Sequence, residues 1–167
     1  MVDEPFHPNI DELLEHNARY ADTFEPHGAV RPSRRMVVVA CMDSRMDIFQ
    51  MLGLENGEAH IIRNAGGVVT DDVIRSLVVS QRRLDTREIV LIHHTNCGLE
   101  GVSADDFHQE LEDEVGIRPA WALEAFSDPY ADVRQSINRL KQSPFVRYKD
   151  HISGFVWDVN DGQLHPV

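Results

Sequence analysis

Several things are scarce in this 167-residue chain. There are only two cysteines, Cys41 and Cys97. A small disulfide-stapled scaffold needs several pairs, so that class is excluded. In a reducing cytosol two such thiols are free groups or metal ligands rather than a crosslink. Basic residues are few as well: 16 Lys and Arg stand against 28 Asp and Glu, a net charge of −12. A surface of that sign repels phosphate backbones and anionic lipid, so neither nucleic acid nor a membrane is an expected partner. Long hydrophobic runs are missing. The longest, such as "MVVVACM" from Met36, fall far short of the roughly 20 residues that cross a bilayer. The opening "MVDEPFHPNIDELLE" lacks the basic-then-apolar order of a secretion signal, and a cytoplasmic protein is expected. Internal repeats and low-complexity tracts are absent too.

What is present supports a packed core. Hydrophobic residues make up 42% of the chain, and the length predicts a single domain over residues 1–167. Residues 9–24 carry Ile10, Leu13, Leu14, Tyr20 and Phe24 at helical spacing, with Asn9 as the expected cap. A Pro- and Gly-bearing connector over 26–32 follows. Residues 1–30 therefore read as a helical arm that packs away from its own core. Strands are predicted at 36–41, 59–64, 87–95 and 151–159, and helices at 46–52, 70–84, 104–115 and 129–142. Thr70 caps the second of these, and Arg82 and Arg83 face its negative end. "NDG" at 160–162 turns the last strand into a hairpin. Alternating strands and helices predict an α/β fold with a mostly parallel central sheet, flanking helices and one antiparallel C-terminal edge strand.

In such sheets, sites form beyond the carboxyl ends of the strands. That rule brings together Cys41-Met42-Asp43-Ser44-Arg45 and His94-Thr95-Asn96-Cys97-Gly98. Cys41, His94 and Cys97 are a zinc donor set, with His-x-x-Cys delivering two ligands from one turn. Three ligands leave one position open, as in a catalytic site. Taken singly, the cysteines read equally as buried thiols, and Asp43 with Arg45 as a surface or interface ion pair. "RNAGG" at 63–67 has no lysine and does not match a phosphate loop. It reads as a tight turn bringing Asn64 and Ala65 to the cleft. Trp121 and Trp157 read as packing residues. The acidic stretch 105–116 reads as a solvated face, and His60, His108 and His151 as structural or surface groups.

Cys41-x-Asp43-x-Arg45 followed by His94-x-x-Cys97-Gly98, with "GEAHIIRNAGG" at 57–67 between them, resembles the β-class carbonic anhydrases. The texture is closest to their short mycobacterial-type branch, which also looks like the carbonyl sulfide hydrolases. The resemblance implies one Zn²⁺ per chain and attack of its hydroxide on carbon dioxide to give bicarbonate. It implies that Asp43 pairs with Arg45 in an open state and binds zinc in a closed one. It assigns the Gly98 N–H to a substrate oxygen. It also implies a homodimer or dimer of dimers, with the N-terminal helix crossing onto a partner chain. Charge counting agrees that a second group is needed: two thiolates and a neutral imidazole cancel Zn²⁺, so a carboxylate is wanted to orient the water. Arg45 keeps that carboxylate off the metal with a bidentate pair. Strand alternation is expected to point Cys41, Asp43 and Arg45 to one side, and His93 away from His94, in a structural role.

Glu55 stands where plant-type members have a glutamine. Leu99 stands where a second glycine is frequent, adding apolar bulk. Carbonyl sulfide or carbon disulfide hydrolysis is accordingly the alternative on the same scaffold. A non-catalytic zinc or bicarbonate sensor is the alternative of another class.

Overall fold

The computed structural model describes residues 6–26 and 29–167. The first five residues of the expected arm, and positions 27 and 28 of the connector, lie outside them. Among the described residues five strands form one sheet: β1 (Met36–Cys41), β2 (Ala59–Asn64), β3 (Glu88–His94), β4 (Ile152–Trp157) and β5 (Leu164–Pro166). Their spatial order is β2-β1-β3-β4-β5. The first four are mutually parallel, and β5 pairs antiparallel with β4. The helices are α1 (Ile10–Ala21), α2 (Ile48–Leu52), α3 (Asp71–Leu84), α4 (Ala104–Val115) and α5 (Pro129–Gln142). This is the α/β architecture the sequence predicts.

Parallel strands covered on both faces need apolar side chains in both directions, hence the near-continuous runs in β1 and β3. Val37, Val39, Ile89 and Leu91 pack with Val73 and Leu77 of α3 and Val133 and Leu140 of α5. Val38, Ala40, Val90 and Ile92 face the other way, onto Met46, Ile48, Leu54 and Phe126. Each such buried side chain contributes up to about 1.5–3 kcal/mol. Gly154 of β4 lies directly beneath α5, where a Cβ would overlap Val133. The missing side chain lets the helix settle onto the sheet.

The helix ends follow their caps. Thr70 accepts from the Val73 N–H at the start of α3. Asp47 accepts from the Gln50 N–H, so α2 begins at Ile48 rather than at 46. Asn9 precedes α1 but makes no side-chain capping bond, and the helix stops at Ala21 rather than 24. No residue of α1 is buried, and the same holds for the acidic helix α4. Trp157 packs against the second core cluster. Trp121, in contrast, is 55% exposed, edge-on to His108, so its packing role is not realised within this chain. Among the described residues no helix is long and apolar enough to cross a membrane.

Candidate metal centre

β1 and β3 are neighbours at the middle of the sheet, and their carboxyl ends deliver the donors. Cys41 is the last residue of β1, and His94 the last of β3. Cys97 sits in the turn that follows. All three are buried, and their donor atoms lie within 4.8 Å of one another. His94 Nδ1 stands 2.9 Å from the Thr95 carbonyl. A carbonyl oxygen only accepts, so Nδ1 carries the proton and Nε2 a lone pair. That Nε2 is buried with no hydrogen-bond partner among the described residues. An unpaired buried nitrogen is costly, and two thiols and a tautomer-fixed imidazole converging on one point are what zinc takes. The residues therefore fit the ion.

The three groups perturb one another. The neighbouring Cys97 thiol and the His94 ring push the Cys41 thiol below its ordinary value. Cys97 is pushed up, because Cys41 takes its hydrogen bond and because it is buried. Burial works against the charged form of His94, yet the Cys41 thiolate raises it overall. A cation replacing these protons suits both sulfurs.

The carboxylate of Asp43 lies just beside this cluster, with Oδ2 3.6 Å from His94 Nε2. It is held by a fork: Arg45 Nε donates to Oδ1 at 2.9 Å and Nη2 to Oδ2 at 2.7 Å. These bonds hold the Asp43 carboxyl well below the usual carboxylate range. Strand alternation does not bring the pair together. The Arg45 N–H also donates to Asp43 Oδ1 at 2.9 Å, and the Met46 N–H to the Asp43 carbonyl at 3.1 Å. The chain is thus already turning at Ser44, and Arg45 folds back onto Asp43. Arg45 Nη2 reaches further, to the Asn96 carbonyl at 3.0 Å.

A hollow of about 280 Å³ opens over the cluster, lined by Cys41, Asp43 and Cys97 and by Met42, Ala65, Gly66, Gly98 and Leu99. Asn64 is not on this wall: its side-chain amide donates to the Val68 carbonyl at 2.9 Å, tying the 64–68 turn. Gly67 brings that turn against the strands. Its φ is +72°, and a Cβ would stand 2.8 Å from the Cys41 nitrogen and 3.0 Å from the Ile92 carbonyl oxygen. Only glycine fits there. His93 points to the opposite face, fully buried, with Nε2 2.7 Å from Asp132 Oδ2 on α5.

The sequence did not single out Arg63. Its Nε donates to the Cys41 carbonyl at 2.8 Å and its Nη2 to the Asp43 carbonyl at 2.6 Å. The signal available was its place one residue before Asn64 on a strand neighbouring β1. Asp158, Asp161 and His165 also bring donor atoms within 4.8 Å of one another. They lie on the partly exposed β4–β5 hairpin, and Asp158 already accepts from Asn160.

Known proteins match the whole arrangement. The family model described as carbonic anhydrase matches residues 36–164. The chain is 51% identical to β-carbonic anhydrase 1 of Mycobacterium tuberculosis over 157 residues, 94% of this chain and 96% of that one. The crystal structure of a carbonic anhydrase from Streptococcus mutans superposes with a TM-score of 0.89 at 39% identity, covering 98% and 99% of the two chains. A carbon disulfide hydrolase of Acidithiobacillus thiooxidans is 31% identical, covering 80% of this chain and 77% of its own.

Proposed function

This chain belongs to the β-class carbonic anhydrases, and we propose that it reversibly hydrates carbon dioxide to bicarbonate on one Zn²⁺ held by Cys41, His94 and Cys97. The observation that carries the proposal is the buried, unpaired Nε2 of His94 facing two thiols, with an arginine-held carboxylate 3.6 Å away. When bound there, zinc acidifies a coordinated water and so makes a nucleophile available near neutral pH.

The chain's own residues do the rest. Asp43, kept ionised by Arg45, only accepts hydrogen bonds. It takes one from the attacking water and aims a lone pair at the linear substrate's carbon. Arg45 would hold the carboxylate off an ion bound there, and loss of the fork would free Asp43 to bind it. The Gly98 N–H binds a substrate or product oxygen. Ala65, Gly66 and Leu99 give the hollow an apolar wall suited to a small, weakly hydrated molecule. The thiolate ligands fit a reducing, cytoplasmic setting.

We infer a homodimer or dimer of dimers. Ile10, Leu13 and Leu14 of α1 are 56–59% exposed on one helix face. An apolar hollow of about 530 Å³ on edge strand β2, with Phe49, Ile61, Val79 and Leu84 in its lining, offers such a face a seat. Apolar stripes of this kind mark surfaces that another chain can cover.

Hydrolysis of carbonyl sulfide or carbon disulfide is the second reading, favoured by the likeness to the Acidithiobacillus enzyme and by Leu99 in the wall. Stopped-flow hydration of carbon dioxide beside a sulfide-release assay separates the two. Rapid hydration with slow sulfide release is expected. Fast sulfide release with negligible hydration would reverse the assignment. Stoichiometric zinc with neither activity would point to a sensor.

A further inference from the structure

Two arginines touch the segment that leaves β1, and only one of them holds the Asp43 carboxylate. Arg45 grips that carboxylate with a side chain that is 45% exposed. The carboxylate itself is 16% exposed, but its partner is nearly half in water, so backbone geometry also matters to where the carboxylate stands. Arg63 acts instead on the backbone that carries the carboxylate. It extends from the end of β2, where Ala40 is its register partner, across to the exit of β1. One planar guanidinium there accepts no alternative geometry easily. Its Nε is spent on the carbonyl of Cys41 and its Nη2 on that of Asp43. These peptide units flank Met42 and together set how far the carboxylate stands from the Cys41 sulfur. The carboxylate oxygen is already 3.6 Å from His94 Nε2, so a shift of this backbone changes how close it stands to the donor cluster.

We propose that Arg63 is a positioning residue for the Asp43 gate: it clamps the Cys41–Asp43 backbone so that the carboxylate stays on Arg45 and the fourth metal position stays free for exogenous ligands. The inference rests on the metal-binding reading above. Arginine suits the task because its fork meets two carbonyls from one rigid plane, whereas a lysine presents a single point charge.

The test uses the full chain loaded with Co²⁺, whose visible spectrum reports ligands, and azide as the probe of the free position. In Arg63→Met the chain is expected to keep one cobalt and to melt within a few degrees of the parent. Its azide affinity should fall by about tenfold or more, because Asp43 now competes for the metal. Arg63→Lys should recover part of the loss. Adding Asp43→Asn to Arg63→Met should restore azide binding, since the competitor is gone. A purely structural role would not produce that rescue. Azide affinity of Arg63→Met within twofold of the parent at full cobalt content overturns the proposal, as does loss of cobalt from that variant. Failure of the parent itself to take up stoichiometric cobalt defeats the underlying metal reading, and this proposal with it.

Discussion

Replacing Gly67 by alanine tests how the site is assembled. Two costs combine. Holding an L residue near φ +72° costs about 1–2 kcal/mol. The new Cβ would also stand 2.8–3.0 Å from backbone atoms of Ala40, Cys41 and Ile92. None of these is a side-chain tip that swings aside, so the strand ends or the turn must shift, at about 1–3 kcal/mol. Gly57→Ala is the control: its φ is +87° with nothing within 4 Å of the added carbon. It isolates the backbone cost, and the effect of alanine on the unfolded chain cancels between the two variants. A chain of this length loses about 3 °C of Tm per kcal/mol. Gly57→Ala should therefore melt about 3–6 °C lower, and Gly67→Ala about 6–15 °C lower. Because the displaced atom is the Cys41 nitrogen, Gly67→Ala should also give up zinc to a chelator more readily. Thermal denaturation of both variants, with and without zinc, reads both effects. Equal Tm values for the two would show that the turn does not press on β1 and would refute the packing argument.

Cys41→Ser should leave the fold intact and lower zinc content well below one per chain, measurable by elemental analysis after dialysis. Asp132→Ala strands the Nε2–H of fully buried His93 and should cost about 1–3 kcal/mol in denaturant unfolding. Asp132→Asn, which keeps an acceptor, should cost less. The depressed carboxyl of Asp43 stabilises the fold above the unfolded carboxylate pKa of about 3.9, and that contribution fades as pH falls toward the folded value. Zinc-free Arg45→Gln should accordingly lose stability less steeply than the parent between about pH 5 and pH 2, by up to about one proton. Parallel curves would count against the ion pair. Charging the apolar face of α1 with Leu13→Glu and Leu14→Glu should lower the assembly mass seen by sedimentation.

β1 and β3 were legible because their apolar runs are buried on both faces, and the donors because metal chemistry limits which residue types serve at strand ends. Thr70 announces its helix by capping chemistry that acts within three residues. Ser103 and Asp128, which the sequence did not single out, cap theirs in the same way. Contacts set by strand register were not legible. Arg63 meets Cys41 only because Ala40 and Arg63 pair across β1 and β2. His93 meets Asp132 across 39 positions. Local rules also misled in places. Asn9 has capping chemistry but makes no cap. Arg45 reaches Asp43 by a turn where extended alternation was expected, and Asn64 spends its amide on its own loop.

The bridge from Arg45 to both Asp43 and the Asn96 carbonyl has a consequence for how the ion arrives. It ties the Cys41 segment to the Cys97 turn with protein groups alone, across 51 positions. With β1 and β3 buried, packing and this bridge position the strand ends that carry the donors. Small zinc domains instead draw their folding free energy from the ion. Here the fold is expected to persist when the ion is removed by a chelator, which thermal denaturation with and without zinc would read. On that expectation zinc would stabilise the chain by mass action, in proportion to the logarithm of its free concentration. Such a donor set also favours ions content with four-coordinate sulfur and nitrogen over those that demand six oxygens.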